Sequence, residues 1–197
     1  MFESDATIII SNCWTWHNGD ATQYNVVGGS FQGNGNGFKL GGNGAGGSSE
    51  GQHKVMNCIS FNNNFPGRTR HGFDQNSHGG GVILYNCVAY DNLYNYFFED
   101  PAPMIFKNNI SNNGSVSSFG SGSTSQNNSW QLPVTVTSGD FNCMTETCAE
   151  APRQQDGSLP TGFGRLVAGS DLINVGVDVG LPYCQTAPDL GAFEYCP

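Results

Sequence analysis

The sequence is poor in charged residues and in the residues that favour helices. Only 12% of its 197 residues are charged, roughly half the usual share, whereas 28 are glycine and 22 are asparagine. Glycine and asparagine are weak helix formers. This composition therefore excludes a helical bundle or a coiled coil.

Long apolar runs and an excess of basic charge are also missing. No stretch of 18 apolar residues occurs, so we predict no membrane span. The chain has 7 basic and 16 acidic side chains and a formal charge of −9. This balance argues against nucleic-acid binding, which requires a basic face. The 13 Phe, 7 Tyr and 3 Trp supply core material and exclude a disordered chain.

Metal-binding spacings are absent, and the number of cysteines is odd. The sequence has no Cys-x-x-Cys and no His-x-x-x-His motif, which argues against a zinc-type site. Seven cysteines leave at least one unpaired within a monomer. The last four lie in a loop-rich tail, where Cys143 with Cys148 and Cys184 with Cys196 are plausible disulfides. Such bridges favour an oxidising compartment, with free thiols in a reducing cell as the alternative.

A short pattern recurs four times in the first part of the chain. Residues 9–16, 54–61, 83–90 and 105–112 superpose, and each alternates along its length and turns at an asparagine. The shared asparagines are spaced by 45, 29 and 22 residues, and periods of this size indicate a solenoid. Each unit is typical of strands and turns, with no helical period between units. We therefore predict an all-β, right-handed parallel β-helix with coils stacked about 4.8 Å apart.

Two sets of aligned positions in the repeats lead to further predictions about the interior of the solenoid. Cys13, Cys58 and Cys87 share one position, followed by Asn109, and we expect a ladder of small interior side chains there. In the other register, the residues 37–40 align with 72–75 and, loosely, with 96–99.

The second register predicts one row of inward side chains and one row of outward side chains. Phe38, Phe73 and Phe97 are expected to stack inward. Alternation along a strand then directs Lys39 and Asp74 outward on one face, one coil apart. The Gly- and Ser-rich insertion 41–51 is expected to form a loop beside that face.

The repeat weakens after about residue 115. Residues 115–129 are expected to make one weak coil that passes through residues 127–130. We therefore divide the chain into coils over 1–139 and a capping tail over 140–197, packed on the same domain. A solenoid requires such a cover, because an open parallel edge recruits other chains.

Several of these strings resemble the signature of pectate lyases of polysaccharide lyase family nine. The resemblance begins at residues 33–43 (GNGNGFKLGGN) and continues through 72–76 (GFDQN) and 94–96 (YNY). Residues 187–194 (APDLGAFE) are similar to the tail of many such β-helix proteins. The resemblance implies a secreted enzyme that acts on an acidic polysaccharide, pectate, and we expect it to be a monomer.

The resemblance also implies a catalytic lysine and a calcium ion. Lys39 occupies the position of the family's Brønsted base. The family's calcium ligands include an Asp-Asp-Gly-x-Asp run, which here would fall before Met1. Neither Glu3, Asp5 nor Asp20 matches a ligand position. We therefore expect this chain to be the C-terminal part of a longer enzyme, with weak or no activity alone.

The expected chemistry is β-elimination across C4 and C5 of a galacturonate unit. The C5 proton is weakly acidic, so its removal requires a strong base that is neutral when it acts. A lysine meets this need if calcium and a nearby arginine disfavour its charged form, whereas Asp74 would oppose them. Arg68 and Arg70 precede the strand of Asp74 and are expected to bind sugar carboxylates. We assign Arg68, Arg70 and Asp74 to substrate binding.

Two other functions remain open. A polygalacturonase-type hydrolase would use clustered aspartates in place of a lysine. A non-catalytic β-helix module would bind the polysaccharide without shortening it. Product analysis separates the three, because only elimination leaves a double bond.

Overall fold

Thirteen short strands form the described part of the chain up to residue 126. The computed structural model describes residues 6–20, 33–41, 51–65, 69–99 and 101–197. In chain order the strands are β1 (Ile9–Ser11), β2 (Trp14–Trp16), β3 (Phe38–Lys39), β4 (His53–Met56), β5 (Ile59–Phe61), β6 (His71–Asp74), β7 (Val82–Tyr85), β8 (Val88–Tyr90), β9 (Tyr94–Phe97), β10 (Ile105–Lys107), β11 (Ile110–Asn112), β12 (Ser115–Val116) and β13 (Thr124–Gln126).

Every third strand belongs to the same sheet, and all pairings are parallel. The first sheet has the order β1-β4-β7-β10-β13, the second β2-β5-β8-β11 and the third β3-β6-β9-β12. Each coil contributes one strand to each sheet, which is the architecture of a parallel β-helix. In the first sheet Ile9 pairs with Lys54, Lys54 with Ile83 and Ile83 with Ile105. The alignment of the four sequence repeats is thereby confirmed.

The coils turn at residues in the left-handed region of backbone conformation. Asparagine tolerates this region better than most residues, because its short polar side chain bonds the local backbone. The corner after each strand of the first sheet has such a residue: Asn12, Asn57, Asn86, Asn108 and Asn127, with φ of 51–59°. The corner after each strand of the second sheet also has a residue in the left-handed region: His17, Asn62, Asp91 and Asn113.

A ladder of buried amides runs beside the second corner. The backbone N–H and side-chain amide of Asn63 both donate to Oδ1 of Asn92, at 3.1 and 3.0 Å. Asn92 donates in the same way to Oδ1 of Asn95, and Asn18 to Oδ1 of Asn63. Asn63 and Asn92 each accept from the preceding coil and Asn95 accepts within its own coil, and these bonds compensate the cost of burying the amides.

The buried aromatic row of the third sheet differs from the prediction at its last member. Phe38 stacks on Phe73 with ring centroids 4.9 Å apart, and Phe73 stacks on Tyr96 at 5.3 Å. Phe97 pairs with Asp74 and lies in the other row, so its inward placement was wrong. Tyr96 is accommodated inside because its hydroxyl donates to the carbonyls of Cys87 and Ile110 at 3.1 and 3.0 Å.

The cysteine ladder is interior at two of its three positions. Cys58 and Cys87 are fully buried, whereas Cys13 is exposed, so the expectation of an interior Cys13 was wrong. Cys13 lies in the first described coil, at the end of the stack. Asn109 continues the ladder, because its Oδ1 accepts from the N–H of Cys87 at 2.9 Å. The predicted weak coil is also present: β13 pairs with β10, and Asn127 takes the corner conformation.

The last part of the chain lies along the second sheet and contains little regular structure. Over the described residues 127–197, only a 3-10 turn (Ser138–Asp140) and the helix α1 (Glu146–Ala149) are regular. Apolar side chains of residues 141–192 pack on Ile59, Phe61, Val88 and Ile110 of the coils. The disulfides Cys143–Cys148 and Cys184–Cys196 are present, as predicted.

Polar contacts fasten this segment to both ends of the stack. In the first coil, Nε2 of His17 contacts Glu146, and the guanidinium of Arg153 lies 4.2 Å from the ring centroid of Trp14. At the other end, the side-chain amides of Asn108 and Asn127 donate to the carbonyls of Val177 and Val175, both at 2.8 Å. The segment therefore spans all the described coils.

No helix of the described residues is long and apolar enough to cross a membrane.

Replacing Asn92 with alanine is expected to lower the free energy of unfolding by about 2–3 kcal/mol. The change removes the acceptor of both Asn63 donors and the donor to Ser60 O, all of which are buried. Urea unfolding measures the difference. Asn142→Ala, at an exposed side chain, is the control and should stay within about 0.5 kcal/mol. Equal effects of the two substitutions would contradict a structural role for the ladder.

Stability is expected to depend on the protonation of Glu194. Burial and the nearby Asp189 carboxylate together raise the pKa of Glu194 to about 7, against an opposing hydrogen bond from the Asp189 N–H. Because the folded state holds this proton more tightly, the stabilisation is complete below about pH 4.5 and disappears as the pH rises through about 7.

Glu194→Gln is therefore expected to flatten the unfolding free energy between about pH 5 and pH 8. We expect a change of order 1 kcal/mol, because Glu194 is only half-buried and solvent screens its charge. The exposed Glu150→Gln is the control and should keep the pH dependence of the unmodified chain. An unchanged profile in Glu194→Gln would exclude Glu194 as the source.

Candidate active-site face

The outer face of the third sheet carries a row of side chains that crosses three coils. Lys39 at the end of β3 pairs with Asp74 of β6, and Asp74 pairs with Phe97 of β9. Lys39 is exposed, whereas its neighbours Phe38 and Leu40 are buried. The predicted juxtaposition of Lys39 and Asp74 is confirmed, and strand alternation explains the outward direction of Lys39.

Glycines set the path of the two strands that carry this row. A Cβ at Gly37 would lie 2.0 Å from Oγ of Ser60, and a Cβ at Gly72 would lie 2.7 Å from the carbonyl of Asn95. Neither position accepts a side chain. The glycine of each Gly-Phe pair is therefore required because the third sheet passes close to polar groups inside the coil.

Asp74 is held by its neighbours, not open to solvent. Its side chain is only 8% exposed. Oδ2 accepts a hydrogen bond from the side-chain amide of Asn36, and Oδ1 accepts from the backbone N–H of Asn76 at 3.0 Å. With both oxygens engaged, Asp74 is fixed in orientation beside the coil that carries Lys39.

His71 joins the same face, which strand alternation does not predict. Its Nδ1 lies 3.5 Å from Oδ2 of Asp74, and its ring stacks on Phe97 with centroids 4.1 Å apart. The edge of Tyr94 contacts the same imidazole, with ring centroids 5.5 Å apart. The register of β6 on β9 is constant, so the contact comes from the His71 side chain, three residues before Asp74, and not from a shift in pairing.

The two predicted arginines are not both placed by the structure. Arg68 lies outside the described residues. Arg70 precedes β6 and donates to Oδ1 of Asn64 at 3.0 Å. Its Cα is four residues before Asp74, about 13 Å away along an extended strand. The backbone therefore does not bring Arg70 beside Asp74, and Arg70 belongs to the opposite end of β6.

A surface pocket of about 250 Å³ lies along this row, beyond Asp74. Its wall combines two carboxylates with amides, a hydroxyl and two stacked rings. The lining residues are His71, Asp74, Gln75, Asn76, Ser77, Phe97 and Glu99. A larger pocket of about 400 Å³ lies between the second sheet and α1, away from the Lys39 row.

The described residues do not fit a calcium ion. They contain no group of three or more His, Cys, Asp or Glu side chains that could hold a metal. Asp74, the carboxylate paired with Lys39, already accepts two hydrogen bonds. Asp20 is buried, and Glu3 and Asp5 lie outside the described residues. The expected position of the family's calcium ligands stays a prediction.

Sequence reasoning missed four members of this face: Asn36, His71, Phe97 and Glu99. No sequence signal marks His71, because alternation along β6 places it on the other side from Asp74. Asn36 lies before β3 and outside the aligned repeats. Phe97 and Glu99 depend on which residues face outward in β9 and after it. That choice followed from the hydroxyl partners of Tyr96, which the sequence does not display.

Comparison with known proteins identifies the chain's relatives. Residues 1–128 match the family model described as Pel9A-like, right handed beta helix region. Pectate lyase L of Dickeya dadantii (strain 3937) is 38% identical over 200 residues, which cover 98% of this chain and 44% of the relative. Pectate lyase PEL9 of Emericella nidulans is 30% identical and covers 82% of this chain and 38% of its own length. The chain thus spans less than half the length of these relatives.

Two solved structures are also similar to this chain. The crystal structure of pectate lyase Pel9A superposes with a TM-score of 0.80 at 37% identity, over 98% of this chain and 46% of that one. A rhamnogalacturonan lyase superposes with a TM-score of 0.64 at 27% identity, over 82% of this chain and 42% of that one.

Asp74→Ala is expected to lower the free energy of unfolding by about 2–3 kcal/mol. The buried amide of Asn36 and the N–H of Asn76 would each lose an acceptor. Lys39→Ala, on an exposed side chain of the paired strand, should change stability by less than about 0.5 kcal/mol. Urea unfolding of the two variants checks this contrast, and a neutral Asp74→Ala would show that the carboxylate is not held as described.

Proposed function

Because the chain belongs to the Pel9A-like right-handed β-helix family, we propose that it takes part in cleaving polygalacturonate by β-elimination, with Lys39 as the base. The exposure of Lys39 between two buried apolar neighbours carries this proposal. Packing does not require a lysine there, and the strand fixes its direction. The similarity to pectate lyases over 98% of the chain supports the substrate class.

Lys39 performs the first step in the proposed reaction. Its neutral amine takes the C5 proton of a galacturonate unit, and the electron pair left at C5 forms the C4–C5 double bond. The bond from C4 to its oxygen breaks, and this oxygen leaves with the neighbouring sugar and takes a proton from solvent, while the Lys39 ammonium returns its proton to solvent. The products are one chain with an unsaturated end and one with an ordinary end.

The other residues of the face support this step. Asp74 positions the coil beside Lys39, because both its oxygens are already engaged and cannot easily turn to a sugar. We retain Arg68 and Arg70 as proposed residues for direct contact with the substrate, and we propose that Asp74 contributes to substrate binding by holding its coil in place. Arg70 stands at the other end of β6, about 13 Å along the strand from Asp74, so its proposed contact is with a sugar carboxylate that lies beside the Lys39 row.

Calcium assistance is a further part of the proposal. When bound, the ion neutralises a sugar carboxylate and stabilises the negative charge that develops in the reaction. The described residues do not form its site, and no step above passes through it. An extracellular location, a monomeric state and an acidic polysaccharide partner belong to the same proposal.

The alternatives have less support. A hydrolase of the polygalacturonase type needs two carboxyl groups that face each other across the scissile bond. On the Lys39 face the described carboxylates are Asp74, which is held, and Glu99, which lies beyond it in the pocket. A non-catalytic module would bind pectate and leave its length unchanged.

Lys39→Ala is expected to lower the rate of unsaturated-uronide release about 10²–10⁴-fold, the usual contribution of a general base. The ultraviolet absorbance of the new double bond, followed on polygalacturonate with calcium and with chelator, measures the rate. Lys107→Ala, on the first sheet, is the matched control and should keep the rate of the unmodified chain.

Three outcomes would contradict the proposal. Retained turnover in Lys39→Ala would remove Lys39 from its role. Shortened chains without double bonds would indicate hydrolysis. Binding without any shortening by a protein extended to the full length of its relatives and supplied with calcium would indicate a binding module.

A further inference from the structure

The pocket beyond Asp74 has a wall that is unsuited to an anionic sugar. Its two ionisable acids are Asp74 and Glu99, and no lysine or arginine of the described residues lines it. The one basic side chain is His71, and its Nδ1 faces the Asp74 carboxylate, which would compensate any charge on the imidazole. A galacturonate carboxylate placed here would meet like charge.

The same pocket offers an apolar surface. The rings of His71 and Phe97 are stacked 4.1 Å apart at an interplanar angle of 23°, with Tyr94 against their edge. Phe97 is only partly buried and lines the pocket. Stacked rings of this kind suit the C–H groups of a pyranose, while Asn76, Ser77 and Glu99 supply partners for its hydroxyls.

The pocket's position relates it to Lys39. Lys39, Asp74 and Phe97 stand on successive coils, which are about 4.8 Å apart. A pyranose unit of a 1,4-linked chain is about as long as one such step. A polysaccharide lying along the row therefore places the pocket one or two units from the sugar beside Lys39. Its volume of about 250 Å³ is below the range of drug-sized sites and suits about one unit.

We propose that this pocket is a subsite for a sugar unit without a negative charge, located one or two units from the galacturonate beside Lys39. This inference rests on the proposed function and specifies its substrate class. Such a substrate is a galacturonan with methyl-esterified units, or a chain in which galacturonate alternates with a neutral sugar. A fully de-esterified galacturonan is then the poorer ligand.

Calorimetric titration of the chain with oligosaccharides of equal length tests the inference. The three ligands are a de-esterified oligogalacturonide, a partly methyl-esterified one, and one that alternates galacturonate with a neutral sugar. We expect the second or third to bind at least about fivefold more tightly than the first in the presence of chelator. Which of these two binds better identifies the source of the neutral unit.

Substitutions in the pocket test whether a binding preference among the three ligands arises there. Glu99→Gln should improve binding of the de-esterified ligand about three- to tenfold and leave the uncharged-unit ligands nearly unchanged. Phe97→Leu should weaken all three, because the stacked surface is reduced. Glu150→Gln is the matched control, an exposed acid in the tail, and should change nothing.

The outcomes separate this inference from the proposed function. Equal binding of the three ligands, or calcium-dependent preference for the de-esterified one that Glu99→Gln abolishes, would overturn the subsite while leaving elimination at Lys39 intact. If none of the ligands binds and no double bonds form, both proposals fail.

Discussion

The left-handed turn of each coil at an asparagine is the constraint on which the rest of this structure depends. Five asparagines hold φ of 51–59° after the strands of the first sheet. The conformation is unfavourable for most residues, and it recurs because the coil must bend sharply between two sheets. Since it falls at the same point of each coil, it fixes which residue of the next strand points inward. A slip of one residue would reverse every side chain.

The outward position of Lys39 is a consequence of that fixed register. The strand β3 contains only Phe38 and Lys39, too few residues to hold a direction by themselves. Phe38 enters the stack with Phe73, and the absence of space for a side chain at Gly37 brings the strand close to the interior. The buried ring of Phe38 and the crowded position of Gly37 therefore fix the direction of the Lys39 side chain. Asp74, held by Asn36, gives the neighbouring coil the same rigidity.

The periodic features could be predicted from the sequence, and the irregular ones could not. Asn12, Asn57, Asn86 and Asn108 displayed the repeat, and the pairing of Lys39 with Asp74 followed from it. The prediction was wrong at Phe97, where three adjacent aromatics gave no local sign of the register and the hydroxyl of Tyr96 decided it. The exposure of Cys13 was not predicted, because a repeat pattern indicates the register of a side chain and not its burial. His71 was missed because alternation along β6 places it on the other side from Asp74, whereas its Nδ1 lies 3.5 Å from Oδ2 of Asp74.

The segment after the last strand has a mechanical consequence for the whole stack. In an ordinary solenoid each unit contacts only its neighbours, so units can peel from an end one at a time. Here Arg153 and Glu146 contact the first described coil, while the backbone at Val175 and Val177 is bonded to Asn127 and Asn108 at the far end. Loss of structure at either end of the described coils must first break the contacts of this same segment. The domain should therefore melt in a single concerted event, as a globular protein does, despite its one-dimensional construction.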